Sequence, residues 1–91
     1  MKQIDDDSLK YLGQYIDVSE HVKKCIESHA KKHKLNPTIC AWYKDMTDFY
    51  LDWVTQCGYI KTQADRILKN GIKSGEFLWL PDGLGLVRFE M

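Results

Sequence analysis

Apolar residues recur at steps of three and four along most of the chain, which is the spacing of one face of an α-helix. Capping residues, glycines and a proline divide this pattern into four segments. We therefore predict helices over residues 8–16, 19–34, 37–57 and 62–74. The pattern then changes to two short apolar runs on either side of the triplet PDG. Such a triplet favours a turn, so residues 76–90 are predicted to form a β-hairpin.

The helix over 37–57 has the clearest pattern of the four. Asn36 is expected to cap it, with Pro37 at its first position, because each residue type is favoured there. The apolar stripe then runs unbroken to Cys57. Gly58 is expected to end the helix in the left-handed conformation, which glycine adopts without steric cost. The predicted fold is therefore mainly α, with three to four helices and a C-terminal β-hairpin.

Shorter signals predict the other helix boundaries. Asp7 and Ser8 can cap the first helix, and Asp17 followed by Glu20 resembles a capping box at the start of the second. Gly75 can end the fourth helix in the same way as Gly58 ends the third.

Length and charge limit the possible functions. The 91 residues are predicted to form a single domain, 1–91, and the 44% of apolar residues suffices for one modest core. Basic and acidic residues are equal in number, 13 each, so binding of DNA or an anionic membrane would need a local basic surface. No apolar run is long enough to span a membrane, and the first residues do not resemble a signal peptide. Three cysteines without a secretion signal predict reduced thiols and a cytoplasmic location.

The junction of the third and fourth helices, YLDWVTQCGYIKTQADRILKN (residues 50–70), is similar to a DNA-binding helix-turn-helix. Gly58 stands at the turn. The apolar residues at the matching offsets are Trp53, Cys57, Tyr59, Ala64 and Ile67. With RILKNGIKSGEF and the hairpin that follows, residues 50–90 resemble the winged helix-turn-helix superfamily. Two features depart from that family: Gly71 stands where a core leucine is usual, and the pattern predicts no strand before the helix pair.

The resemblance implies that the outward face of the fourth helix binds DNA. The DNA-facing residues would be Lys61, Thr62, Gln63, Arg66, Lys69 and Asn70. Arginine and glutamine can form paired hydrogen bonds to guanine or adenine edges, and lysine and threonine suit phosphates. The alternative is an ordinary solvated helix face, since any amphipathic helix presents one.

The hairpin favours contact with protein over contact with DNA. If Glu76 faces Arg88, alternation places large apolar residues on both faces of the hairpin. The face expected to remain exposed as a protein interface, most simply for self-association, consists of Leu78, Leu80, Leu84 and Leu86. Asp82 at the tip suits a phosphate backbone poorly. The alternative is that this face is buried under residues 8–16.

Catalytic and metal-binding signals are sparse. Cys25, His29 and His33 lie four residues apart on one predicted helix, a spacing that can bind zinc. No CxxC pair accompanies them, so we expect these three side chains to be partly buried and to bind no metal. The chain contains no phosphate-binding glycine loop and no nucleophile with an orienting partner. We expect a protein without cofactor or small-molecule substrate that is not an enzyme.

These patterns together predict a small cytoplasmic regulator of transcription or replication that binds DNA through a winged-helix-like end. A single module has few basic residues, so a dimer is expected. The alternative is a protein-interaction module, either an adaptor or an inhibitor of a larger protein complex, that uses the apolar hairpin. The sequence does not identify a DNA site or a partner.

Overall fold

The computed structural model describes residues 4–90 and shows four helices with a small antiparallel sheet. In chain order the elements are α1 (Asp6–Gly13), α2 (Glu20–Lys32), β1 (Ile39–Tyr43), α3 (Met46–Cys57), α4 (Lys61–Ser74), β2 (Phe77–Trp79) and β3 (Leu86–Phe89), with a 3-10 turn over Pro81–Gly83 between the last two strands. The predicted class, mainly α with a C-terminal β-hairpin, is confirmed. Within the described residues no helix is long and apolar enough to cross a membrane.

The three predicted N-terminal helix caps are wrong. Asn36 and Pro37 precede the strand β1 and not a helix. Asp7 and Ser8 lie inside α1, and the N-cap residue is Asp5. The second helix is capped by Ser19, whose side chain accepts a hydrogen bond from the Val22 backbone. The predicted glycine ends are confirmed: Gly58 and Gly75 follow α3 and α4 with φ of 72° and 95°. A helix end with positive φ strongly favours glycine, whereas several polar residue types can cap the start of a helix. Glycine is therefore the more specific signal of a helix boundary.

The predicted long helix over 37–57 is wrong, because its first part is the strand β1. Ile39–Tyr43 pairs antiparallel with β3, and its β-branched and aromatic residues are favoured in strands. The helix α3 begins afterwards, at a cap within the predicted helix: the Asp45 carboxylate accepts a hydrogen bond of 2.9 Å from the Asp48 backbone. The apolar residues of β1 and α3 therefore follow one another at steps of three and four, although a boundary between a strand and a helix lies between them.

The helix α1 covers the free edge of β1. The buried Ser8 hydroxyl accepts a hydrogen bond from Ile39 N at 3.0 Å, and the Tyr11 hydroxyl accepts one from Trp42 N at 3.2 Å. Burial raises the pKa of the Tyr11 phenol above its usual range. An uncovered edge strand would leave such backbone donors available to another chain. In this fold they are bonded within the molecule.

The three strands are ordered β1-β3-β2, and each face of the sheet is packed by helices. The α1 and α2 side buries Ile26, Val87 and Phe89, while the α3 and α4 side buries Phe49, Phe77 and Leu86. Complete burial of side chains of this size contributes about 1.5–3 kcal/mol each. The core therefore lies in two layers, one on either side of the hairpin.

The hairpin register differs by one residue from the prediction. Arg88 lies opposite Phe77, and Trp79 lies opposite Leu86. Glu76 still contacts Arg88 through an ion pair of 2.7 Å, although the two residues are not directly opposite in the register. Because strand side chains alternate, a shift of one residue moves Phe77 and Leu86 onto the same face.

Gly71 lets β2 pack closely on α4. A Cβ built at this position would overlap the ring of Phe77, which is completely buried. The space that a larger residue would take at position 71 is therefore filled by that ring. Glycine in a helix interior costs about 0.5–1 kcal/mol relative to alanine, and close packing against Phe77 offsets that cost.

Candidate nucleic-acid interface

The helix α4 packs on the rest of the domain along one side, and a side-chain cap closes its first turn. Ala64, Leu68 and Gly71 form its buried side. At its N-terminus the Gln63 side chain accepts a hydrogen bond of 3.2 Å from Ile60 N. Gln63 was predicted to face DNA; it is exposed, but its amide oxygen serves this cap.

The outward side of α4 carries a basic stripe, defined as Thr62, Arg66, Lys69 and Lys73. Residues advance by about 100° around a helix, so these four, spaced four, three and four apart, lie on one face opposite the buried side. All four are exposed. Lys73 was missing from the sequence prediction although it continues the same spacing from Lys69. Three cations on one face of a neutral protein form a local basic surface.

Asn70 and Lys61 lie at the margins of the basic stripe. Asn70 is exposed beside it, as the resemblance implied. Lys61 is exposed but turns towards α3, with its ammonium 5.3 Å from the ring centre of Tyr50. The Tyr50 hydroxyl in turn donates to the Asp65 carboxylate, a contact that raises the pKa of the phenol. Asp65, the one acidic residue of α4, is thereby drawn towards α3.

Exposed apolar side chains lie at the N-terminus of α4 and on α3. Ile60, its N-cap residue, is 63% exposed, and Leu51 on α3 is 61% exposed. Val54 lies three residues beyond Leu51 and is also exposed. Tyr59 is held differently, because its ring stacks on Trp53 at 5.5 Å. We name Leu51, Val54 and Ile60 the apolar patch. The sequence did not predict it, because Val54 fits the spacing of the inward apolar stripe that was expected along a helix over residues 37–57.

The hairpin does not present the exposed apolar face that the sequence predicted. Leu80 and Leu86 are buried, and Leu78 and Leu84 are half-buried. The prediction that these four leucines form an exposed surface is wrong, because α1 and α2 cover one side of the hairpin and α3 and α4 cover the other. The alternative, burial under the N-terminal helices, describes Leu78, Leu80 and Leu84. Asp82 forms the tip with φ of 59°.

His29 on α2 and His33 at its C-cap pack against the junction between α4 and β2. His29 Nε2 lies 2.8 Å from the Gly75 carbonyl oxygen, and its ring stacks on Phe89 at 5.2 Å. Burial lowers the pKa of His29, and the nearby His33 and Lys32 lower it further, while the Gly75 carbonyl acts in the opposite direction. Among residues 4–90 no group of three or more side chains could hold a metal ion. Cys25, His29 and His33 therefore form no such group in the described part of the chain.

A cluster of polar groups lies between α3 and the sheet. The Tyr43 hydroxyl donates a hydrogen bond of 2.9 Å to Asp52, and burial together with this carboxylate raises the pKa of Tyr43 well above its usual range. Arg88 lies over the rings of Trp53 and Phe77, at 5.4 and 5.9 Å. These contacts join β1, β3 and α3. They hold α3 against the sheet.

No family model, no curated protein and no solved structure matches this chain.

Proposed function

We propose that this chain is a small non-enzymatic cytoplasmic regulator that binds DNA through the basic stripe of α4, in transcription or in replication. The stripe is the observation that carries the proposal: Arg66, Lys69 and Lys73 are exposed on one face and Asp65 is turned away from them. Arginine can read guanine edges, and lysines neutralise phosphates.

The order of elements supports the same proposal. A strand, two helices and a hairpin follow one another, with β1 beside β3 in the sheet. The sequence pattern lacked the strand before the helix pair, and its presence removes one departure from the winged helix-turn-helix resemblance. The second departure, at Gly71, is offset by the ring of Phe77.

Affinity would come from α4 more than from the hairpin. The hairpin tip carries Asp82, which repels phosphate, and the chain as a whole is neutral. If Lys69 and Lys73 contact phosphates and Arg66 does so as well, the binding constant would fall with salt at a logarithmic slope of roughly −3. Binding by one copy is therefore expected to be weak and measurable only at low salt.

The test compares two triple variants in binding to a random-sequence duplex across a salt titration. R66A/K69A/K73A removes the stripe, and K24A/K31A/K32A removes three exposed lysines of α2 on the other side of the sheet. We expect the first variant to lose at least about tenfold in affinity and most of the salt slope, and the second to bind nearly as the unaltered protein does. Equal losses in both variants, or no binding by the unaltered protein at low salt, would refute the proposal.

A second candidate is a protein-interaction module, an adaptor or an inhibitor of a larger complex. The apolar patch favours it, because Ile60 occupies the N-terminus of α4, a place where DNA-binding helices often meet phosphate. Exposed apolar groups of this kind are more typical of protein contacts. This candidate uses the patch and not the hairpin leucines.

A capture experiment from native lysate treated with nuclease separates the two candidates. A protein partner should remain bound after nuclease treatment and be lost with I60K. The control I72K changes another exposed isoleucine, further along α4. Capture that disappears with nuclease, or that I60K and I72K reduce equally, would count against a protein partner at the apolar patch.

A further inference from the structure

The outer face of α3 carries a short apolar stripe that is exposed to solvent. Phe49 and Trp53 point into the core. At about 100° per residue, Thr47, Leu51, Val54 and Gly58 fall on one line away from that side. Leu51 and Val54 are its two large apolar members, 61% and 45% exposed.

We propose that this stripe is where a second copy of the chain binds, with the two α3 helices antiparallel about a two-fold axis. Leu51 and Val54 lie on either side of the middle of α3, Met46–Cys57. An axis between them places Leu51 of each copy on Val54 of the other, which is the reciprocal contact that a two-fold interface requires. Each end of the line has a small residue, Thr47 or Gly58, so the helices can approach closely.

Electrostatics favour this arrangement over a parallel one. The beginning of α3 carries Asp45 and Asp48, which outnumber Lys44, and the last turn has no basic residue. The Lys61 ammonium lies 5.3 Å from the ring centre of Tyr50, in the first half of α3, and so supplies no positive charge at its C-terminal end. Antiparallel helices separate the two acidic ends and oppose the helix dipoles. A parallel arrangement would place the acidic ends together.

The size of the surface predicts a weak dimer. One helix face buries less than the roughly 1,200 Å² at which stable interfaces begin. Association should therefore depend on concentration, and two copies held by adjacent DNA half-sites would be favoured further. The dimer itself does not depend on whether α4 binds DNA.

Sedimentation equilibrium without DNA, from about 1 μM to about 1 mM protein, tests the proposal in the range expected of weak association. The unaltered chain should rise from monomer towards dimer mass. L51K and V54E should each raise the dissociation constant by at least about tenfold, while I72K, at an exposed site on α4, should not. Circular dichroism melting checks that the variants remain folded.

Mixing L51K with V54E gives the sharper result. In a reciprocal interface the mixed dimer has one oppositely charged contact and one unaltered Leu51–Val54 contact, so the mixture should associate more strongly than either variant alone. A monomer at every concentration overturns the proposal. So does association that L51K and V54E leave unchanged, or a mixture no stronger than its components. Because DNA is absent, none of these outcomes depends on the function of the basic stripe.

Discussion

Substitution of Gly71 by alanine separates helix propensity from tertiary packing. In an exposed helix interior, alanine is more favourable than glycine by about 1 kcal/mol. At Gly71 the added Cβ would lie within contact of two carbons of the Phe77 ring, closer than atoms can approach. The buried ring or the backbone of α4 must shift. Overpacking costs about 1–3 kcal/mol, and the overlap with two ring carbons places this site in the upper half of that range.

We therefore expect G71A to lower the free energy of unfolding by a net of roughly 1–2 kcal/mol, the overpacking cost less the gain in propensity. Gly13 in α1 is the matched control, because a Cβ there meets no atom within 4 Å. G13A should be neutral or stabilising by up to about 1 kcal/mol. Urea denaturation monitored by tryptophan fluorescence and circular dichroism gives both values, with the slope against urea as a check on two-state unfolding.

The clash can be assigned to Phe77 by a double-mutant cycle. F77L removes the overlapping ring edge at the cost of a cavity, so G71A should cost less in the F77L background than in the unaltered chain. A coupling of at least about 0.5 kcal/mol in that direction is expected for residues in contact. If G71A stabilises the protein as much as G13A does, α4 and β2 do not pack as closely as described.

Three further predictions concern separate contacts. D45A removes the side-chain cap of α3 and should cost about 1 kcal/mol in urea denaturation; a loss equal to that of an exposed alanine substitution elsewhere would contradict the cap. His29 has a pKa held below its ordinary value of 6.5, so the folded state binds fewer protons. The neutral form of His29 therefore contributes its full stability above pH 6.5. That contribution is lost as the pH falls through the lowered pKa of the folded state. Denaturation from pH 8 to pH 5 should show less acid sensitivity in H29Q than in the unaltered chain, with H21Q, an exposed site on α2, as the control. R88K keeps the charge beside Glu76 but loses the planar stacking on two rings. We expect it to cost about 1 kcal/mol, and a thermal unfolding midpoint equal to that of the unaltered chain would refute this account.

The candidate DNA-binding surface was largely accessible from the sequence. Gly58 and Gly75 bound α4, and helical spacing alone places Thr62, Arg66 and Lys69 on one face. Lys73 follows from the same spacing. The roles of Gln63 and Lys61 were not accessible, because their contacts with Ile60 N and the Tyr50 ring depend on how the chain turns between α3 and α4.

Local signals determined the helix ends at Gly58 and Gly75, the turn at PDG and the mainly α class, because these depend on residues within one or two turns of each other. The strand β1 was decided by tertiary structure. ICAWY fits a helical stripe as well as a strand, and its pairing partner β3 lies more than 40 residues further along the chain. That pairing also decided which hairpin residues are buried, since a sheet with helices on both sides leaves neither face for solvent.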